Sequence, residues 1–124
     1  MQSSNVVLLQ SDPKIARTLA ASLANAFHAV HVTESMDELR HTAARHRPHA
    51  IILDLETASL SDVESLKHEF QTARIICNHR VADEQMWTRT LTAGADDCWS
   101  SSDTRSILSS VMSERQSTVH DAAA

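Results

Sequence analysis

A chain of 124 residues with 42% hydrophobic and 22% charged residues is long enough to fold as one globular domain without disulfide or metal support. Its formal net charge of −5 and the lack of any basic run exclude a nucleic-acid-binding surface. No apolar stretch nears the roughly 18 residues of a membrane span, and the N-terminus lacks a charged-then-apolar signal pattern, so a cytoplasmic location with no membrane partner is expected. Cys77 and Cys98 fit no CxxC spacing and read as reduced core residues.

Taken in order, Asn5-Val6-Val7-Leu8-Leu9 reads as a buried strand. Asp12-Pro13 then marks a helix start, with Asp as N-cap and Pro at the first helical position. Ile15, Leu19, Leu23 and Phe27 recur every four residues, which predicts a helix from about 13 to 27. A short strand, Ala29 to Thr33, alternates Val30 and Val32 with His31. A second helix runs from Glu34 to Arg47, with Ser35 as its cap and Met36, Leu39 and Ala43 facing inward.

Pro48 closes that helix, and Ala50-Ile51-Ile52-Leu53-Asp54-Leu55 follows. An apolar run of this length reads as a strand buried on both faces, as in the centre of a parallel sheet. Asp54 then falls at the carboxyl end of the strand, the edge where ligands and chemistry collect in open α/β sheets. Val63, Leu66 and Phe70 predict a third helix, shorter than the others, and Arg74-Ile75-Ile76-Cys77 a fourth strand. A fourth helix from about Ala82 to Ala93 carries Met86, Trp87 and Leu91. Gly94, the single glycine of the chain, ends it. Asp97-Cys98-Trp99 is a short last strand, and Ser102-Asp103 caps a fifth helix with Ile107, Leu108, Val111 and Met112 on one face. One domain over 1–114 and a polar, Ala-rich tail over 115–124 complete the division. Five strands alternating with five helices and right-handed crossovers predict a doubly wound (βα)5 sandwich.

Three segments resemble the receiver domains of two-component response regulators: Val-Leu-Leu-Gln-Ser-Asp-Pro at the first strand, Arg-Pro-His-Ala-Ile-Ile-Leu-Asp-Leu at the third, and Ala93-Gly94-Ala95-Asp96-Asp97 before the fifth. The likeness covers about Asn5 to Met112. It implies a flavodoxin-like parallel sheet in the order 2-1-3-4-5, with Asp54 matching the aspartate that accepts a phosphoryl group from a histidine kinase.

The departures from the pattern are as informative as the match. The two adjacent acids that hold a divalent metal in the family correspond to Gln10 and Ser11, with Asp12 one place later. The family's lysine and the following proline after the fifth strand correspond to Ser101 and Ser102, and its aromatic switch residue to Cys98, with Trp99 beside it. The switch hydroxyl ending the fourth strand falls on His79 by counting back from Gly94, or on Asn78 by the apolar pattern; neither is a hydroxyl.

Attack by a carboxylate on a phosphoryl donor needs positive charge to offset the donor's oxygens. Gln10 and Ser11 are neutral, so no cofactor is required and Mg2+ is expected to bind weakly. Ser101 supplies no charge. Asp12, the one metal candidate, is better explained as the helix N-cap before Pro13. His28 with His31, and His46 with His49, lack acids or cysteines at ligand spacing. His79 reads first as an exposed loop histidine, though protonated near the carboxyl edge it would supply part of the missing charge. Glu56, two residues past Asp54, reads as a solvated loop carboxylate. Trp87 and Trp99 fall on the fourth helix and fifth strand, the face through which the family meets its partners.

Two functions from different classes follow. One is a single-domain phosphorelay receiver with Asp54 as phosphoacceptor; the other is a pseudo-receiver whose protein contacts do not depend on phosphorylation. Neither is an enzyme. The partner is a protein, a histidine kinase or a downstream effector, and self-association through the fourth helix, fifth strand and fifth helix is a further arrangement the resemblance allows. A flavin-binding enzyme of the same architecture would need a glycine- or hydroxyl-rich phosphate loop, which Gln10-Ser11-Asp12-Pro13-Lys14 does not supply.

Overall fold

In the computed structural model, which describes residues 5–113, five strands alternate with five helices. They are β1 (Asn5–Leu9), α1 (Pro13–Leu23), β2 (Ala29–Thr33), α2 (Met36–His46), β3 (Ala50–Asp54), α3 (Leu60–Glu69), β4 (Arg74–His79), α4 (Glu84–Thr92), β5 (Asp97–Ser100) and α5 (Thr104–Met112). All strand pairings are parallel, in the order β2-β1-β3-β4-β5. The expected boundary at 114 and the tail over 115–124 lie outside the described residues.

Every residue of β3 is buried, because helices cover both faces of the sheet. Alternate strand residues feed two cores. Val7, Leu9, Ile51, Leu53, Ile75, Cys77 and Cys98 pack under α2, α3 and the inner side of α4. Val6, Leu8, Ala50, Ile52 and Ile76 pack under Ala16, Leu19 and Leu23 of α1 and Ile107 and Val111 of α5. Five strands and two apolar layers fix the sheet edge on which β1 and β3 end.

Local signals set most of the boundaries, and where apolar spacing alone was used the structure departs from it. α1 stops at Leu23 rather than near 27; the chain turns over Ala24–Ala26, and Phe27 rejoins the core against the His49 ring, centroids 5.5 Å apart. α3 is not the shortest helix. Its ten residues exceed the nine of α4 and of α5, because the reciprocal Ser59–Asp62 capping box starts it at Leu60, ahead of its first buried residue. α4 begins at Glu84, not Ala82, because Asp83 caps it. On α5, Ile107, Ser110 and Val111 take the inward positions, which turns Met112 outward to 52% exposure. Arg47 (φ 49°) and Gly94 (φ 117°) take the left-handed conformations that follow α2 and α4.

Candidate functional site

The sheet's carboxyl edge gathers the residues singled out from the sequence. Leu9 pairs with Leu53 and Leu53 with Cys77, and one rung further Asp54 pairs with Asn78. Asp54 and Asn78 are buried in this rung, above the apolar Leu8, Ile52 and Ile76 layer, and Gln10, the residue that follows β1, is buried as well. Asp54 is the one carboxylate of the rung.

That carboxylate is fully buried, and both of its oxygens are engaged by neutral donors. The backbone N–H of Ser11 donates to Oδ2 at 2.9 Å, and the Ser11 hydroxyl donates to the same oxygen. The N–H of Glu56 donates to Oδ1 at 2.9 Å. Among the described residues no lysine or arginine pairs with it. Lys67 is 3.6 Å from Asp96, and Arg40 reaches Asp62 and Glu69.

The matched position of the family lysine, Ser101, is buried and donates its hydroxyl to Asn78 Oδ1 at 2.8 Å. Asn78 is thus held inside the rung beside Asp54. His79 points elsewhere. Its Nε2 lies 3.3 Å from Glu56 Oε2, and its Nδ1 accepts the Val81 N–H at 3.0 Å. The imidazole therefore does not supply charge to Asp54.

Asp12 is not brought to the pocket. Its Oδ1 accepts from the N–H groups of Lys14 and Ile15, the work of a helix cap, and its side chain is exposed. Mg2+ asks for several oxygen ligands in a near-octahedral shell, carried mainly by carboxylates. Here the Ser11 hydroxyl is spent on Asp54, Gln10 is an amide and Asp12 faces away, so these residues do not fit the ion. Among the described residues no group of three histidine, cysteine, aspartate or glutamate side chains is arranged to hold a metal.

The two tryptophans part company. Trp87 lies on α4 with 44% of its surface exposed. Trp99 alternates with Cys98 and faces the other side of the sheet, where its ring packs against the α1–α5 core and its indole N–H donates to Ser110 Oγ at 2.7 Å. Both cysteine thiols are free and buried, side by side across β4 and β5. Burial pushes the Cys77 thiol well above its ordinary range and raises that of Cys98 as well.

No protein-family model matches the chain, and no curated protein matches it. Solved structures do. The BeF3-activated N-terminal receiver domain of Klebsiella pneumoniae RstA superposes with a TM-score of 0.72 at 20% identity, covering 84% of this chain and 91% of that one. This chain has the receiver-domain fold. A Burkholderia pseudomallei response regulator with a phosphorylated aspartic acid, calcium ion and citrate gives a TM-score of 0.78 at 22% identity, over 97% of this chain and 72% of that one. The Vibrio cholerae chemotaxis response regulator CheY4 gives 0.72 at 15% identity, over 90% and 100%. At such identities the likeness is one of fold, and the strand order expected from the resemblance is the one found.

Two features of this receiver edge escaped the sequence. Ser11 reads as a missing acid, yet it closes the pocket by donating twice to Asp54. Glu56 reads as a solvated loop carboxylate, yet its oxygen pairs with His79 and accepts the Arg80 N–H at 3.1 Å.

Proposed function

We propose that this chain is a receiver-fold binding module of two-component signalling, whose output passes through protein contacts and does not depend on phosphorylation of Asp54. The observation that carries the reading is the state of Asp54: buried, and satisfied at both oxygens by Ser11 and Glu56. A phosphoryl donor would have to displace the Ser11 hydroxyl from Oδ2 and would then meet no lysine and no acid-built metal site. The phosphoryl group brings roughly −1.5 to −2 charges, and stabilising charge of that kind is the main demand of the transfer.

A layer of buried Gln10, Asn78 and Ser101, with the exposed Ser11 at its rim, also gives phosphorylation little to act on. A modification shifts an equilibrium only by its differential interaction with the two states. The contact surface is assigned to α4, where Trp87 is exposed; tryptophan is prominent among interface anchors. The partner is a kinase, an effector or a second copy of this chain, met in the cytoplasm, and the module is not an enzyme.

The competing reading, Asp54 as phosphoacceptor, is favoured by its place at the carboxyl end of β3 and by the phosphorylated aspartate of the Burkholderia neighbour. The two separate on partner affinity, with self-association by sedimentation as the readout for the chain alone, compared across wild type, Asp54→Asn and Trp87→Ala. Equal association in wild type and Asp54→Asn, with loss in Trp87→Ala, is expected. Loss in Asp54→Asn would return the output to the pocket.

A further inference from the structure

β2 is an outer strand of the sheet, at the edge opposite β5, and β1 is its one strand neighbour. In a parallel ladder successive residues turn their N–H and C=O groups to opposite sides, so about half of those in Ala29–Thr33 face outward. Among the described residues no strand pairs with them. Such edges are usually blunted by lysine, proline or a covering element. Ala29-Val30-His31-Val32-Thr33 has no lysine, proline or acid, and Val32 is 47% exposed.

A cavity of about 310 Å³ opens between this strand and α2, lined among others by His31, Val32, Glu38, His41, Arg45 and His46. His41 and Arg45 are exposed and have no ion-pair partner among the described residues. His46 stacks on His31. Glu38, the one acid of the lining, stands two turns before Arg45 and already accepts the Glu34 N–H at 2.9 Å. The two faces of the strand differ. Val30 and Val32 share the α1 side with their register partners Val6 and Leu8, whereas His31 shares the α2 side with Val7.

We propose that the free edge of β2 docks an extended segment of a partner protein, in which apolar residues alternate with acidic ones. The segment adds as a sixth strand, its backbone pairing with the outward N–H and C=O groups of Ala29–Thr33. Its side chains point alternately to the two faces. One set covers the Val30 and Val32 side, and the other brings carboxylates into the cavity beneath Arg45, His41 and His46. A second copy of this chain is a poorer occupant. Pairing through its own β2 would set His31 and another basic wall against this one, where an acidic segment is complementary. The surface shares no residue with α4 or with the Asp54 pocket, so it stands or falls apart from the reading above.

The test uses the full chain and three synthetic hexapeptides: valine alternating with glutamate, valine alternating with lysine, and a block of valines followed by a block of glutamates. Amide NMR signals and hydrogen exchange are followed. With the valine–glutamate peptide the Ala29–Thr33 amides are expected to shift, and the outward ones to gain protection. Its affinity should exceed that of the other two by about tenfold. Reversing the exposed wall with His41→Glu and Arg45→Glu should invert the order in favour of the valine–lysine peptide, a gain that a misfolded variant cannot give. Equal binding of the three peptides, shifts centred away from β2 and α2, or no shift at about 1 mM peptide overturns the proposal. Protection of the β2 amides that rises with protein concentration alone also overturns it, because the occupant is then a second copy.

Discussion

Ser11 and Asp54, 43 positions apart, make the contact that closes the carboxyl edge of the sheet: amide and hydroxyl of one residue donate to a single oxygen of the other. A neutral side chain thereby occupies the approach to the carboxylate. Asp54 becomes a tether between the β1–α1 and β3–α3 loops, and its burial is compensated by hydrogen bonds rather than by a cation.

Ser11→Ala is expected to lower stability by about 1.5–3 kcal/mol, the range for a hydrogen bond to a charged group. Asp54→Ala should cost more, because it strands the Ser11 and Glu56 donors together. Urea-unfolding midpoints rank the variants, and an Asp54→Ala protein as stable as wild type would contradict the tether.

Restoring acids reverses the logic of the pocket. With Gln10→Asp and Ser11→Asp, three carboxylates converge and the plug is removed, so stability should fall without divalent metal and recover when Mg2+ is added. Calorimetric titration should show binding by the double variant and little by wild type. Tight Mg2+ binding by wild type would refute the assignment.

His31 on β2 stacks on His46 of α2, ring centroids 4.1 Å apart. Burial first, and then the charge of His46, hold the His31 pKa below its ordinary value. The folded chain therefore binds this proton less readily than the unfolded chain. The contribution is intact above the ordinary imidazole range and is lost as pH falls through it. Thermal midpoints should drop on acidification to about pH 5, and drop less in His31→Gln; the same slope in both proteins would remove His31 as a source.

Trp87 and Trp99 should respond in opposite ways. Trp87→Ala is expected to leave stability within about 0.5 kcal/mol and to cost association about 2 kcal/mol or more. Trp99→Phe should keep association and lose about 1 kcal/mol of stability with the bond to Ser110. An unfolded Trp87→Ala chain would place that ring in the core instead.

The fold was legible because β1, β3 and β4 carry apolar runs and three helix starts show their caps in the sequence. Asp12, Ser35 and Asp103 all accept from the first turn, whereas the caps Ser59 and Asp83 emerged only with the structure. Helix ends read less well, since the spacing that runs on to Phe27 marks burial rather than helix. At the site, the position of Asp54 could be read, but its hydrogen bonds could not. Whether Ser11 turns toward Asp54, or His79 toward Glu56, is decided by side chains brought together across strands, and no local spacing encodes that choice.

The claim that Asp54 is held out of phosphoryl chemistry is tested most directly by intact mass after incubation with acetyl phosphate and Mg2+. Wild type should keep its mass, while a variant combining Gln10→Asp, Ser11→Asp and Ser101→Lys should gain the mass of one phosphoryl group. A phosphoryl adduct on wild type that disappears in Asp54→Asn would contradict the account.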